Sequence, residues 1–491
     1  MFEKKFSNNF IQMNPERLTD LIIVISYLIV VALIGIFSGG KQKSIKDYFL
    51  GAEKIPWLAV SFSIIAAETS ALTFISIPGL AYKTNFQFLQ LAFGFLIGRI
   101  AVAIILLPRY YQGEISTVYT FLEKRFGRKI RTFASIVFLL TRVASDGVRL
   151  FAAAIPLYLL LDISPVYAIL IISFIALIYT YTGGLKSIIY VDAFQMIIYL
   201  GGAILIIIFI INQTDSNIFS NTELLNQKLS VINFGFENGL ADFFKQPYTL
   251  LSGLIGGAFL SMASHGTDQL IVQRLLALQN LRKSQLAIVT SGIIIVFQFA
   301  VFLFIGFLLF SFYGMTEMKS DEVLPTFIIH QLPKGLSGFI IAGVFAAALS
   351  TLAGSISSLS SSTMIDLFLN NKKETLDEKT KLCYSRLFTI IWTIILVASA
   401  FFFMNTDKAV VELALSISSF TFGGMLGTFL LGIFNKKVNE KTALISFVIG
   451  ILVVSIFILL KLVAWTWFVF IGVATVLLVG NILSLLNRKE S

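Results

Sequence analysis

Long apolar stretches, separated by short polar segments, recur along the chain from Asp20 to Leu486. As a helix, a stretch of about 20 residues is long enough to cross a bilayer core of about 30 Å. The pattern predicts about 13 membrane-spanning helices, near 18–38, 57–81, 88–112, 129–161, 164–182, 187–212, 246–265, 285–313, 337–367, 382–404, 409–434, 440–461 and 464–486. We therefore expect an all-α polytopic membrane protein in which residues 1–491 form a single transmembrane domain.

Lysine and arginine are concentrated in alternate predicted loops. The basic residues of these loops include Lys41, Lys43, Lys46, Arg109, Lys124, Arg125, Arg128, Arg274, Arg282, Lys283, Lys379, Lys381, Lys436 and Lys437. Short loops with such an excess stay on the cytoplasmic side of the membrane. Because the predicted number of spans is odd, the two ends lie on opposite sides. We expect a multi-pass protein of the cell (inner or plasma) membrane, with the N-terminus outside and Arg488–Lys489 in the cytoplasm.

The composition agrees with membrane residence and excludes other classes of protein. Hydrophobic residues make up 57% of the chain and charged residues 13%, whereas soluble domains have about 25% charged residues. The net charge of +10 lies mainly in loops, where it sets topology and meets anionic headgroups, so no nucleic-acid partner is expected. The single Cys383 excludes an internal disulfide and a cysteine metal cluster. The polar segment Met1–Arg17 predicts no cleaved leader.

The second predicted span combines a carboxylate with small and hydroxyl residues. Glu68 lies between Ala66 and Ser70, and Pro78–Gly79 follow in the same span. Such a helix can unwind at mid-membrane, where the freed carbonyl oxygens bind a cation. The alternative is an intact helix whose small residues pack closely against a neighbour. In both cases Glu68 needs a partner or water, because an ionisable group at the bilayer centre costs about 2.5–3.5 kcal/mol.

The fourth predicted span carries three charges. Arg142, Asp146 and Arg149 are spaced by four and three residues, so they share one helical face and Asp146 can bridge both arginines. Arg99, in the third span, is a further partner for a buried carboxylate. Two interpretations stay open. The cluster either fixes helix packing as a neutralised unit or faces the solute together with Glu68.

The ninth predicted span is rich in hydroxyl groups, with Ser350 and Thr351 one turn after Ala347. Their oxygens suit an alkali cation, although serine-rich helices also pack closely without binding one.

Two further polar residues have more than one interpretation. Asp192, near the cytoplasmic end of the sixth span, either guides a leaving cation or stabilises local structure. His265, at a predicted helix break, is either a hydrogen-bonded structural residue or a carrier in proton coupling.

The sequence resembles the sodium/solute symporter family, which includes sodium–glucose, sodium–proline and sialic acid transporters. The resemblance is most specific in Asp47–Gly51, Tyr181–Gln195, Thr267–Arg274 and Phe345–Thr351. It implies a LeuT-type fold with two inverted five-helix repeats, over 57–212 and 246–434. One extra helix, 18–38, precedes the repeats, and two, within 440–486, follow them. In such folds the first helix of each repeat breaks at mid-membrane, and the solute binds beside the breaks.

The resemblance also implies a sodium site. Its ligands would be the backbone carbonyl oxygens of Ala66, Thr69 and Ala347 and the hydroxyl oxygens of Ser350 and Thr351. Members with a second sodium use an aspartate at the position of Asp192 and two serines, which here are Ala353 and Gly354. Because two oxygen ligands are missing, we expect one Na⁺ per solute, leaving the protein past Asp192.

The solute itself stays open at this stage. Ser70 and Thr73 match solute-facing positions of the sialic acid transporters, but Ser145 and Ala92 stand where those members use arginine and glutamine. The residues expected to bind the solute are Glu68, Ser70, Thr73, Arg142, Asp146 and His265. A sugar, an amino acid or a carboxylate fits this set.

These observations predict a sodium-coupled secondary symporter that imports a small polar organic solute by alternating access. A proton-coupled transporter on the same fold is the alternative, and a transporter-like sensor is a weaker one. His265 and His330 form no catalytic set with acidic residues, and the sequence contains neither a filter repeat nor a charged ring, so we expect neither an enzyme nor a channel. The expected partners are Na⁺, the solute and the bilayer, without an obligate protein partner.

Overall fold

The computed structural model describes residues 18–51, 55–113, 115–161, 163–213, 222–237, 239–371, 376–404 and 410–486. None of the described residues forms a β-strand, and most of them are helical. The terminal segments Met1–Arg17 and Arg488–Lys489, on which the predictions about the chain ends rest, lie outside the described residues.

The helices follow the order of the predicted spans. The first half contains α1 Leu18–Ser38, α2 Ile45–Leu50, α3 Trp57–Glu68, α4 Ala71–Lys83, α5 Leu89–Ala101, α6 Leu107–Tyr111, α7 Tyr119–Arg125, α8 Arg128–Leu161, α9 Pro165–Gln213, α10 Thr222–Lys228 and α11 Leu240–Phe243. The second half contains α12 Gly257–Gly266, α13 Gln269–Leu276, α14 Leu281–Tyr313, α15 Ser320–His330, α16 Leu336–Ser362, α17 Leu369–Asn371, α18 Glu378–Phe403, α19 Val410–Phe434, α20 Glu440–Leu459 and α21 Phe468–Leu486. Other helical turns are the π-helical Val102–Leu106, Ser252–Gly256 and Thr363–Phe368 and the 3₁₀ turn Trp465–Trp467.

Nine helices of the described residues are long and apolar enough to cross a membrane, or ten if α3 and α4 form one bent span. The number of spans predicted from the sequence is larger, and the following features of the helices explain the difference. Helix α9 joins the predicted spans 164–182 and 187–212 across Gly184, which has φ 59° and ψ −157°. Its 49 residues extend over roughly 70 Å, enough for two crossings. Helix α8 carries three mid-span charges, and α12 has only 10 residues. The number of 13 spans stays a prediction.

The second predicted span is broken in the structure. Helix α3 ends at Glu68, α4 begins at Ala71, and the two segments are bent by 64° relative to each other. Thr69 and Ser70 between them have extended backbones, and Ser70 Oγ caps α4 by accepting from the Thr73 amide at 3.3 Å. A helix end of this kind exposes its last carbonyl oxygens to other partners.

A second break separates α12 from α13. Helix α12 ends at Gly266, and the Asp268 carboxylate caps α13 by accepting from the Leu270 amide at 2.9 Å. Helix α12 packs against α5, whereas α13 contacts both α16 and α3. The short α13 therefore reaches the interior of the molecule and contacts the same two helices that carry the predicted sodium ligands.

Helix α16 lies at the centre of the molecule, between α9, α8 and α1. Nearly all of its residues are buried. Asp20 of α1 caps its N-terminal end, where Oδ1 accepts from the amides of Gly335 at 2.7 Å and Gly338 at 2.9 Å and Oδ2 accepts from the Ser337 hydroxyl at 2.7 Å. Helix α1 thus holds α16 in place, and α16 carries the predicted sodium-binding hydroxyl groups.

Candidate functional site

The hydroxyl residues of α16 face the broken end of α3. Thr351 Oγ1 lies 3.4 Å from the Ala67 carbonyl oxygen and 3.1 Å from the Ala347 carbonyl oxygen of its own helix. Ser350 is buried beside the Asp192 carboxylate. Carbonyl and hydroxyl oxygens from two helices therefore converge, and such hard oxygens are the ligands that alkali cations prefer.

Thr69, at the break, is held by side chains from two other helices. Its Oγ1 accepts from Gln298 Nε2 of α14 at 2.8 Å and lies 3.5 Å from the Tyr199 hydroxyl of α9. The Tyr199 hydroxyl in turn donates to Gln298 Oε1 at 3.0 Å. The sequence analysis did not identify Tyr199 and Gln298. Their polar side chains lie within otherwise apolar spans, and this feature could have indicated them.

Asp192 forms a fully buried ion pair with Arg274. Arg274 Nη2 lies 3.0 Å from Asp192 Oδ2, and Arg274 Nε donates to Ser63 Oγ at 2.8 Å. Ser63 Oγ donates to Asp192 Oδ2 at 2.5 Å. The assignment of Arg274 to a cytoplasmic loop was therefore wrong, because its side chain is 0% exposed. A short polar interval between apolar runs resembles a loop, but here α13 folds inward, and the Asp192 carboxylate compensates the buried charge.

Gly354 on α16 makes room for this guanidinium. A Cβ atom at position 354 would lie 2.6 Å from Arg274 Nη2 and 3.1 Å from Nη1. The guanidinium thus occupies the space that any side chain at this position would enter. The sequence analysis noted only the missing oxygen ligand at Gly354, and the structure adds a resident positive charge in its place.

A small cavity opens between α4, α8 and α16. Ser70, Asp146, Arg149 and Thr351 provide its polar lining. Thr73 Oγ1 lies 3.3 Å from Ser70 Oγ, next to this lining. The structure therefore brings two of the predicted solute residues together with a predicted sodium ligand. Arg149 joins them, in line with the open interpretation that the charged cluster of α8 faces the solute.

The charged cluster of α8 connects three helices. Asp146 bridges both arginines, as their spacing predicted, with Oδ1 at 3.3 Å from Arg142 Nη1 and 3.9 Å from Arg149 Nη1. Arg142 also pairs with Asp268, the cap of α13. Ser355 Oγ of α16 donates to Asp146 Oδ2 at 2.5 Å. Arg142 therefore ties α8 to the second helix break, and Asp146 ties α8 to α16.

Glu68 and His265 meet in a separate cluster. Glu68 forms an ion pair with Arg99 of α5, the partner that the sequence analysis named, and His265 Nε2 of α12 lies 3.5 Å from Glu68 Oε2. Arg99 Nη1 donates to Ser291 Oγ of α14 at 2.8 Å. This cluster joins the ends of α3 and α12 to α5 and α14. Neither Glu68 nor His265 lines the cavity.

Comparison with known proteins identifies the family. The model described as the sodium:solute symporter family matches residues 48–450. The chain belongs to the sodium:solute symporter family. The resemblance carried by the sequence motifs is thereby confirmed.

Several members of this family are similar along most of the chain. A sodium/sialic acid symporter of Aliivibrio fischeri is 29% identical, with 88% of this chain and 86% of that protein covered. A sodium/sialic acid symporter of Proteus mirabilis is 28% identical, with 90% of each chain covered. The sodium-coupled monocarboxylate transporter 1 of Homo sapiens is 26% identical, with 88% of this chain and 72% of that protein covered.

Solved structures support the same grouping. A substrate-bound, outward-open Na⁺-coupled sialic acid symporter superposes with a TM-score of 0.87 at 26% identity and covers 95% of this chain and 98% of its own. A nucleobase-cation-symport-1 family transporter in a closed conformation, at 14% identity and a TM-score of 0.55, shares the fold. Both neighbours are LeuT-fold symporters. The chain is thus a multi-pass, sodium-coupled symporter, and the prediction of Na⁺ is confirmed. Its relatives are transporters, a class distinct from enzymes.

Proposed function

We propose that this symporter imports a small polar organic solute by alternating access, driven by the inward sodium gradient. The proposal rests on the convergence of α16 hydroxyls and the broken end of α3 beside a cavity with a polar lining. In this proposal 57–212 and 246–434 are inverted repeats, flanked by 18–38 and 440–486. The N-terminus faces outward, and the C-terminus lies in the cytoplasm of the inner or plasma membrane.

The sodium ion binds between α3 and α16. Its ligands are the carbonyl oxygens of Ala66, Thr69 and Ala347 and the hydroxyl oxygens of Ser350 and Thr351. The observation that supports this set is the 3.4 Å approach of Thr351 Oγ1 to the Ala67 carbonyl oxygen at the end of α3. Ser350 is buried on the same helix, beside the Asp192 carboxylate.

Binding of sodium and solute is coupled through the cavity wall. Thr351 is both a proposed sodium ligand and part of the cavity lining. Sodium therefore orders the α3–α16 contact and completes the solute site in the outward-open state. Rocking of the two repeats then opens the inner side, where sodium leaves past Asp192. With a neutral solute, one sodium ion crossing a potential of 100 mV contributes about 2.3 kcal/mol.

The proposed solute residues divide into two groups. Ser70 and Asp146 line the cavity, and Thr73 is adjacent to Ser70. These three bind the solute, which is a sugar, an amino acid or a carboxylate. Arg142, Glu68 and His265 contact charged partners on other helices, and in this proposal they position the broken helices around the solute.

One sodium ion accompanies each solute. Asp192, which could serve a second ion, has Arg274 and Ser63 as partners of its Oδ2 atom. Ala353 and Gly354 offer no side-chain oxygens, and the Arg274 guanidinium lies against Gly354. A second cation beside Asp192 would therefore meet electrostatic repulsion from Arg274.

Proton coupling is the second candidate, because Glu68 and His265 lie 3.5 Å apart at the two helix breaks. A proton could move between these groups during the cycle. Replacing sodium by choline at constant pH distinguishes the two, because uptake stops under sodium coupling and continues under proton coupling.

The sodium site is tested by substituting its two hydroxyl residues. We expect Ser350→Ala with Thr351→Ala to abolish both sodium-induced thermal stabilisation of the purified protein and sodium-dependent uptake of labelled sugars, amino acids or carboxylates into proteoliposomes. Ser360→Ala is the matched control, because Ser360 Oγ donates to Ile356 of the same helix at 2.6 Å. Sodium dependence that survives in the double variant would refute the site.

A further inference from the structure

The backbone of Thr69 departs from the regular helical hydrogen-bond pattern just after α3 ends. In a continuous helix the Thr73 amide would donate to the Thr69 carbonyl oxygen, because each helical amide donates to the residue four positions earlier. Here the Thr73 amide donates instead to Ser70 Oγ at 3.3 Å. The Thr69 amide still donates to the Ile65 carbonyl oxygen at 2.9 Å. The backbone therefore fixes the amide side of Thr69, whereas the helical partner of its carbonyl oxygen is engaged elsewhere.

The side chain of Thr69 is fixed by two buried residues, Gln298 and Tyr199, which together with Thr69 form the Thr69 network. Gln298 Nε2 of α14 donates to Thr69 Oγ1 at 2.8 Å, and the Tyr199 hydroxyl of α9 donates to Gln298 Oε1 at 3.0 Å. Threonine is branched at Cβ and has few side-chain rotamers, so a fixed Oγ1 also fixes the direction of the Cα–Cβ bond. The network therefore restricts where the Thr69 carbonyl oxygen can point.

Tyr199 connects this network to the helix that carries the proposed hydroxyl ligands. Helix α9 packs against α16, and a Cβ atom added at Gly343 of α16 would lie 3.2 Å from the Tyr199 Cα atom. Gly343 precedes Ser350 and Thr351 by about two helical turns. The network thus begins at the α9–α16 pair and ends at the segment with a proposed carbonyl ligand. It links the two halves of the proposed sodium site through side chains alone.

We propose that Gln298 and Tyr199 are positioning residues of the sodium site. They hold Thr69 so that its carbonyl oxygen faces the ion between α3 and α16, and they contact neither the ion nor the solute. A buried, fully hydrogen-bonded polar network is rigid, and partners that orient the ligands of a metal ion raise its affinity. This inference rests on the proposed function and adds the residues that set the affinity for sodium.

Sodium binding to the purified protein tests the network without any solute. The affinity for ²²Na⁺ is measured by scintillation proximity, with choline chloride keeping the ionic strength constant, and thermal stability is measured in choline chloride alone. Gln298→Leu keeps the approximate size of the side chain but removes its amide, and we expect it to weaken sodium binding at least about tenfold. Tyr199→Phe leaves the amide in contact with Thr69 and should have a smaller effect.

Gln285→Leu is the matched control. Gln285 lies on the same helix, about 20 Å along its axis from Gln298, and donates to the Ala103 carbonyl oxygen at 2.8 Å. This variant also loses a hydrogen bond between helices, but it should bind sodium with the affinity of the wild type.

Substitution of Thr69 tests whether Gln298 acts through it. Thr69→Val keeps the backbone carbonyl and the shape of the side chain, but it removes the acceptor of the Gln298 amide. It should weaken sodium binding as much as Gln298→Leu does. The double variant should bind sodium no more weakly than either single variant, because both substitutions remove the same interaction. Thr69→Ser keeps the hydroxyl and should bind sodium nearly as well as the wild type.

Unchanged ²²Na⁺ affinity in Gln298→Leu and Thr69→Val would overturn the assignment, even if both proteins are less stable in choline, because the network would then only pack the helices. Losses of affinity that add up in the double variant would also overturn it, because Gln298 would then act independently of Thr69. If Gln298→Leu does not fold, the comparison of Tyr199→Phe, Thr69→Val and Thr69→Ser still decides.

The two proposals fail in different ways. If the wild-type protein binds no sodium and uptake does not depend on sodium, the proposed function is wrong. If the wild-type protein binds sodium and the variants of the Thr69 network bind it equally well, only the role of Gln298 and Tyr199 is wrong.

Discussion

At the scale of single residues, Arg274 packs closely against Gly354. The guanidinium is held by Asp192 at 3.0 Å, by Ser63 at 2.8 Å and by the Leu270 carbonyl at 2.6 Å, so it has little freedom to move. A buried arginine needs these partners, because removal of one would leave an uncompensated charge. Position 354 must therefore stay without a side chain.

Gly354→Ala should destabilise the protein. The added Cβ would lie 2.6 Å from Arg274 Nη2, and over-packing of this kind costs about 1–3 kcal/mol. Thermal unfolding in detergent measures the effect. Gly201→Ala is the control, because a Cβ there meets nothing within 4 Å in α9, and alanine should stabilise the helix by about 0.5–1 kcal/mol. A Gly354→Ala protein as stable as wild type would show that the guanidinium can move aside.

The charged residues of α8 show what the sequence alone can predict about individual residues. Spacing correctly placed Arg142, Asp146 and Arg149 on one helical face, because helical geometry determines which residues are neighbours along a helix. It could not assign their roles. Arg142 pairs with Asp268, more than a hundred residues away, whereas Arg149 has its partner Asp146 on the same helix. Such partners follow from tertiary contacts, which a single sequence does not reveal.

At the scale of helices, α1 acts on the proposed sodium site from a distance. Its Asp20 carboxylate caps α16, and α16 carries the hydroxyl groups proposed as ligands. The carboxylate also complements the positive N-terminal end of the helix dipole. Helix α1 is thus part of the support for α16.

Asp20→Ala should lower the free energy of unfolding by about 1–2 kcal/mol, since it removes the N-terminal cap of α16. Ser337→Ala removes only one of the hydrogen bonds to Asp20 and should have a smaller effect. Chemical or thermal unfolding of both variants measures the difference. Equal stability of Asp20→Ala and wild type would contradict a role for α1 in holding α16.

The helix breaks were predictable to different degrees. The break at Thr69 was predicted from the density of small and hydroxyl residues around Glu68, a composition that tolerates unwinding. The inward course of α13 was not, because its polar residues Gln273 and Arg274 find most of their partners on α2, α3, α9 and α16. Local composition predicts where a helix ends, but it does not determine the direction of the following helix.

At the scale of the whole molecule, the charge carried per cycle follows from the proposed stoichiometry. One sodium ion with a neutral sugar or a zwitterionic amino acid carries one net positive charge inward. If the empty carrier returns without a net movement of charge, an inside-negative membrane potential adds to the driving force of the sodium gradient.

Uptake of a labelled sugar or amino acid into proteoliposomes should therefore accelerate when a potassium diffusion potential set with valinomycin makes the inside negative. The same uptake should respond in proportion to an imposed sodium gradient. Initial rates with the labelled solute, at equal sodium and varied potential, provide the measurement. Uptake that does not respond to the potential would contradict the transfer of one net positive charge with a neutral solute.

With the single sodium ion proposed, accumulation inside the cell has an upper limit at zero membrane potential. A sodium gradient of about tenfold then holds a solute gradient of about tenfold, because each factor of ten is about 1.4 kcal/mol. A relative with two ions would reach about a hundredfold from the same gradient. If the close fit of Arg274 against Gly354 excludes the second ion, the missing side chain at position 354 limits accumulation, and each molecule taken up requires the export of only one ion afterwards.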